Sequence, residues 1–276
     1  MLERYKNSYL CYFLMYNFYY LSWAIFSALI SIYLLDKGFK ASEVSLVVST
    51  SFLTSMIFQP VIGMFSDRYD VKKVNFVLFT LAGIGGLAFM FASSLITITI
   101  GYSFVLTLIN GTNPVMEKIA SSSPYQYGKI RIWGTIGYAT GSWLAGMIYQ
   151  LISPSAIFIC FIITMILCII GLLGTQTPSE LGQNNEEKTK TSTLFHNYKY
   201  LYYLIIAAIF QGITNMANTY IPAMFQNDGL KVSLVSTILS FAVLCEAPLV
   251  LFSHKFMDKL TNKRLLIIAY SMITIQ

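Results

Sequence analysis

The chain has 276 residues, 56% of them hydrophobic, 15% aromatic and only 11% charged, with a formal net charge of +6 and a mean hydropathy of +0.64. Soluble domains carry roughly 25% charged residues, so a water-exposed globular fold is excluded. Cys11, Cys160, Cys168 and Cys245 stand singly in apolar segments, against a disulfide framework or a zinc site, and the basic residues sit in short loops rather than on one face, against a nucleic-acid partner.

Arg4 and Lys6 open the chain, and residues 9–35 then carry no Asp, Glu, Lys or Arg. That run is too long for a signal peptide and has no small-residue cleavage site, so it is read as a first span. Residues 44–66, 74–116, 132–179 and 200–227 are likewise uncharged. A bilayer core needs about 20 helical residues, so 74–116 and 132–179 are each a hairpin of two spans, turning at Ser93-Ser94 and Ser153-Pro154. Spans are expected at 9–35, 44–65, 74–92, 95–116, 132–152, 155–175, 200–226 and 232–254. Leu265 to Gln276 is again uncharged but covers only about 18 Å as a helix, so the sequence is expected to end inside a ninth span.

Basic residues stay on the cytoplasmic side during insertion. With the N-terminus inside, the inner segments hold fifteen of the eighteen Lys and Arg residues, and the outer loops hold only Lys37, Lys40 and Lys231. Residues 176–199, with Pro178, Gly182, Asn184, Asn185, Glu186 and Glu187, form the one long polar stretch and are expected to be a cytoplasmic linker. The expected organisation is a six-helix bundle over 1–175, the linker over 176–199 and a partial second bundle over 200–276.

An internal repeat matches that division. Val44-Ser45-Leu46-Val47 recurs as Val232-Ser233-Leu234-Val235, with Pro60 and Pro248 sixteen residues past each Val. Asp67-Arg68, followed after three residues by Lys72-Lys73, is echoed by Asp258-Lys259 and Lys263-Arg264. Spans two and eight occupy equivalent places.

Gly63, Asp67-Arg68 and Lys72-Lys73 resemble the signature loop between spans two and three of the major facilitator superfamily; Asp70 stands where that family has its second glycine. Phe58-Gln59-Pro60, Gly63 and Ser66-Asp67 are similar to the lactose permease group of oligosaccharide and proton symporters, as is the run from Tyr127-Gly128-Lys129-Ile130-Arg131 to Tyr138. The resemblance implies an all-α polytopic membrane protein with a complete six-helix N-terminal half and an incomplete C-terminal half. Asp67 can pair with Arg68, Lys72 or Lys73, and Gly63 permits close helix approach. Gly63, Asp67, Arg68, Lys72 and Lys73, with Asp258 and Lys263 in the repeat, are therefore expected to gate the conformational change. Topogenic positive charge alone is the alternative and explains the lysines.

An ionisable side chain inside a span costs roughly 2.5 to 3.5 kcal/mol on insertion scales and is a functional candidate. Glu117, Arg131 and Glu246 qualify. Glu246, beside Ala247-Pro248 near the middle of span eight, suits proton coupling, with Glu117 a second candidate; the alternative for Glu246 is a neutral acid bonded to a carbonyl freed by Pro248. Glu117 and Arg131 end span four and begin span five, as a structural ion pair or as solute ligands. The resemblance places the sugar-binding arginine on Arg131, the sugar-stacking ring on Tyr138 and the arginine's acidic partner on Asn113, with Glu117 on the same helical face one turn on. Gln211, Asn215 and Asn218 line one face of span seven and either bind solute in a wet cavity or bond between helices. Tyr16, Tyr19, Tyr20 and Trp23 of span one can stack on a ring or serve as core, and Gly137, Gly141 and Ala145 form a small-residue stripe suited to close packing.

These features point to a monomeric secondary transporter of the plasma membrane, expected to carry a small polar, sugar-like solute with protons. Its partners would be that solute, protons and lipid, with no cofactor and no metal. A nucleoside or aromatic-acid transporter and a transport-inactive truncated product are the alternatives. A membrane enzyme is disfavoured: only His196 and His254 are present, and G-x-S-x-G, H-E-x-x-H and the ATP-binding loop motif are absent.

Overall fold

A computed structural model describes residues 6–176, 198–248 and 261–275, which contain ten helices and no strand. They are α1 Tyr9–Ser27, α2 Ile30–Asp36, α3 Ala41–Arg68, α4 Val71–Met90, α5 Leu95–Ser121, α6 Tyr127–Leu151, α7 Ala156–Gly174, α8 Tyr198–Asn227, α9 Val232–Leu244 and α10 Asn262–Ile275. Residues 177–197 of the expected linker, His254 and Asp258 lie outside the described residues, as does the side chain of Lys263, and α8 begins at Tyr198, taking in the last two residues of the expected linker.

Six helical runs among the described residues are long and apolar enough to cross a bilayer: Tyr9–Asp36, Ala41–Arg68, Val71–Met90, Leu95–Ser121, Ala156–Gly174 and Tyr200–Asn227. The expected fifth and eighth spans are not among them. α6 is long enough, but its Lys129, Arg131, serine, threonines and glycines dilute its apolar character, and α9 stops at Leu244 after 13 residues.

Two of the expected spans break within their length. The first bends at Ala28-Leu29 between α1 and α2, one residue past Ser27, whose hydroxyl donates to the Trp23 carbonyl at 2.8 Å. In the eighth, Pro248 has no N–H to give the Leu244 carbonyl. α9 ends at Leu244, Cys245 and Glu246 form a turn, and Glu246 N–H reaches the Val243 carbonyl three residues back.

The helix ends show the repeat more sharply than the spans do. After α2, Gly38 takes φ +90°, Gly38 N–H donates to the Leu35 carbonyl and Phe39 N–H to that of Leu34. After α8, Gly229 takes φ +89°, Gly229 N–H donates to the Gln226 carbonyl and Leu230 N–H to that of Phe225. Both are the left-handed glycine ending that closes a helix with two backward bonds. Each is followed by a lysine N-cap, Lys40 or Lys231, whose carbonyl accepts the first bond of the next helix.

α1 is the centre of the first seven helices, packed between α6 and α7; α4 lies against α5 and α7, and α3 against α5. Lipid tails are as apolar as leucine, so helices in a membrane associate through close packing rather than hydrophobic transfer. The chain meets that requirement with glycine: Gly137 of α6 lies on the Asn17 carbonyl of α1, and Gly171 of α7 on the Met15 backbone of α1. Rings of Phe26, Phe89, Tyr102, Phe158 and Phe161 fill the centre, with Phe26 and Tyr102 stacked 5.5 Å apart. α9 packs on α6 and α8 on α2, while Tyr270 of α10 donates to the Ile206 carbonyl of α8 at 2.5 Å.

Candidate solute cavity

Six of these packed segments line a cavity of about 300 Å³, with Phe52 contributed by α3. The α1 face contributes Tyr20, Trp23 and Ser27, the α6 face Arg131, Thr135 and Tyr138, the α8 face Gln211, Asn215 and Asn218, and the α9 end Val243 and Glu246; Tyr102, Leu106 and Asn110 of α5 complete the wall. Tyr20 and Trp23 are one turn apart on α1, so their rings stack, 5.8 Å between centroids and 24° between planes. They form an aromatic surface facing the three amides of α8.

Those amides recur at i, i+4 and i+7, which puts them on one helical face. Among the described residues their side chains have no hydrogen-bond partner. An amide left unpaired in hydrocarbon costs several kcal/mol, whereas here all three border the cavity.

Arg131 meets a carboxylate held by four donors. Its Nη1 donates to Glu117 Oε1 at 2.5 Å, and that oxygen also accepts from the Tyr16 and Tyr20 hydroxyls at 2.7 and 2.8 Å. The Tyr127 hydroxyl donates to the other oxygen at 2.6 Å. A carboxylate accepts about four such bonds, so Glu117 is saturated by the protein and stands behind the cavity wall. The bonds of Arg131 all run through Nη1, and the residue also borders the cavity. Asn113 donates to the Tyr20 hydroxyl at 3.3 Å and also stands behind the wall.

Glu246 differs in every respect. It sits in the turn just past α9, its side chain is exposed and borders the cavity, and among the described residues it has no hydrogen bond or ion pair. It borders the same cavity as Arg131 of α6.

The structure thus gathers Arg131, Tyr138, Gln211, Asn215, Asn218 and Glu246 around one hollow and sets Asn113 and Glu117 just behind it. Asp67, Arg68, Lys72 and Lys73 lie apart, where α3 gives way to α4. Asp67 is exposed and has no ion pair among the described residues, contrary to the pairing expected there. A side chain at Gly63 would meet nothing within 4 Å, so Gly63 does not mark a close helix approach as expected. Asp70 instead does the local work: its carboxylate accepts from Lys72 N–H at 2.9 Å and Lys73 N–H at 3.2 Å, capping α4. The sequence reading missed Tyr127; its place four residues before Arg131, on the same face of α6, was the available signal. Among the described residues no three of His, Cys, Asp and Glu gather as a metal site.

Residues 12–275 match the model of the Major Facilitator Superfamily. The chain belongs to that superfamily. With its apolar helices it is an integral membrane protein of all-α fold. It is 27% identical to the uncharacterized transporter YwbF of Bacillus subtilis over 89% of this chain and 63% of YwbF. It is 21% identical to the Probable 3-phenylpropionic acid transporter of Escherichia coli, over 91% of this chain and 68% of that protein. A shorter match, 26% identical over 44% of this chain and 31% of its partner, is to the raffinose permease of Escherichia coli. The crystal structure of the nucleoside transporter NupG superposes with a TM-score of 0.70 at 18% identity, over 91% of this chain and 68% of NupG. The chain therefore spans less than two thirds of YwbF, and the likeness to NupG is one of fold.

Proposed function

We propose that this chain forms the greater part of a secondary active transporter that moves a small polar, sugar-like solute together with protons by alternating access. The observation that carries this is one cavity in which Arg131, three amides and Glu246, the last four without side-chain partners among the described residues, converge from helices on both sides of the linker segment. In this reading Arg131 and the amides of α8 hold solute hydroxyls, Tyr20, Trp23 and Tyr138 lie against its ring, and Glu246 carries the proton. Glu117 and Asn113 hold Arg131 and Tyr20 in place. Residues 1–175 form one half, 176–199 the linker and 200–276 part of the other half, in the plasma membrane with the N-terminus and linker in the cytoplasm. Gly63, Asp67, Arg68, Lys72 and Lys73, with Asp258 and Lys263, belong to the cytoplasmic gate, and the protein acts as a monomer. No cofactor or metal takes part.

A nucleoside or aromatic acid is the second reading, favoured by the stacked Tyr20 and Trp23 rings on the cavity wall. A solute panel read by thermal unfolding of the purified protein separates the two. A ligand at a hundred times its dissociation constant stabilises by about 2.7 kcal/mol. Stabilisation by neutral sugars, lost in Asn215→Leu and Arg131→Lys, supports the first reading; stabilisation confined to nucleosides or aromatic acids supports the second.

A further inference from the structure

The helices that line the cavity also close it off at one end. Beyond the cavity residue Ala28, the Ser31 hydroxyl of α2 donates to the Thr219 carbonyl of α8 at 2.6 Å. Farther out, Gln226 Nε2 of α8 donates to Asp36 Oδ1 of α2 at 3.0 Å. Two turns past Tyr138, Gly146 of α6 lies so close to Ser236 of α9 that a side chain at Gly146 would collide with it. One turn on, Gln150 accepts from Ser233 N–H at the start of α9, at 2.9 Å. Every one of these contacts joins α1–α7 to α8–α9, and all lie toward the end at which α2, α6 and α8 stop.

Asp36 stands apart in this set because its two carboxylate oxygens serve different sides. Oδ2 accepts from the Tyr149 hydroxyl of α6 at 2.5 Å, within the first group of helices, while Oδ1 takes Gln226 from the second. The neighbouring cation does not compete: Lys37 Nζ donates to the Ala92 carbonyl at 2.8 Å and lies 4.8 Å from the Tyr33 ring centre. Hydrogen bonds to an ionised acceptor are roughly twice as strong as neutral ones. The Tyr149 bond survives any motion that keeps the first group intact; the Gln226 bond must break before the end of α8 can swing away.

We propose that Asp36 is the pin of a gate at this end of the cavity, held by Tyr149 and clasping Gln226, and that it releases once in every transport cycle. The proposal rests on the alternating-access reading above, whose orientation puts this end outside. Asp36 does not border the cavity, so its part is to set how often the gate opens rather than to touch solute. The sequence reading placed its gating residues at the opposite end.

The test uses intact cells and the full chain with its four native cysteines replaced by serine and Ser27→Cys introduced on the cavity wall. A membrane-impermeant maleimide added outside labels the introduced thiol only when the outer end opens. Asp36→Ala and Gln226→Leu are each expected to raise the labelling rate about tenfold, the effect of losing one charge-assisted hydrogen bond from a two-state balance. Labelling at the parent rate in both variants overturns the proposal. Gln226→Leu alters one partly exposed side chain, and an unchanged gel-filtration profile shows that it folds. Labelling needs neither a known solute nor uptake, so faster labelling without any transport would sink the functional reading and leave the gate standing. Normal uptake with unchanged labelling would do the reverse.

Discussion

Arg131 of α6 donates to Glu117 of α5 at 2.5 Å, and the same arginine borders the cavity that Glu246 shares. One arginine therefore belongs both to a saturated ion pair and to the solute-facing wall. The pair lies within a network of three tyrosine hydroxyls, and neither side chain is fully buried. Glu117→Gln removes the charge that anchors Arg131 and leaves the tyrosines bonded to a weaker acceptor. A loss of about 1 to 3 kcal/mol of stability is expected, with solute affinity falling as Arg131 loses its fixed position. Thermal unfolding and ligand titration of the same preparation measure both. An unchanged affinity would show that Arg131 is not held for solute.

Glycines in the membrane helices are expected to differ widely in tolerance. Gly137 lies on the Asn17 carbonyl of α1, whereas Gly63 faces open space. Gly137→Leu must push α6 from α1 and is expected to cost more than about 3 kcal/mol, the upper range of overpacking. Gly63→Ala should leave the fold intact and gain up to about 1 kcal/mol of helix propensity. Expression level and unfolding temperature compare the two. Equal tolerance would contradict the close packing of α1 on α6.

Asp70 caps α4 through two backbone N–H groups. Asp70→Ala is expected to cost about 1 kcal/mol, whereas Asp70→Gly, which restores the residue that the superfamily's signature loop carries, should cost only a few tenths. Unfolding midpoints of the two variants decide this. If both are silent, the cap contributes nothing to stability.

Much of this arrangement is legible in the sequence, because the membrane demands a simple code. Long uncharged runs had to become helices, since within one segment only a helix satisfies every backbone group in lipid. Arg131, Glu246 and the three amides stood out because each is costly in such a helix unless it faces something polar, and the structure puts all of them on one hollow. Helix breaks were harder to see: no proline or glycine marks the bend at Ala28-Leu29, and composition is blind to it. The contacts of Asp36 with Tyr149 and Gln226 join residues 113 and 190 positions apart, a distance no local pattern spans. Asp36 had the look of an ordinary loop acid beside Lys37. The pairing expected at Asp67 failed for a nearby reason: charges at a surface find water as readily as each other.

The amides of α8 carry a prediction of their own. Asn215→Leu and Gln211→Leu replace groups that have no hydrogen-bond partner among the described residues, so neither breaks an internal bond. Each is expected to leave the unfolding temperature within a few degrees of the parent and to weaken solute binding about tenfold, one hydrogen bond's share. A large loss of stability with unchanged binding would mean that the amides hold helices together instead.

The central claim is that Glu246 couples the movement of solute to that of protons. Uptake of the solute identified by thermal stabilisation, in proteoliposomes carrying the full-length protein under an imposed pH gradient, tests it most directly. The parent protein should accumulate solute when the gradient is applied, and Glu246→Gln should bind solute but equilibrate it without responding to the gradient. Uptake by Glu246→Gln that still follows the pH gradient, or uptake by the parent that ignores it, would contradict the account.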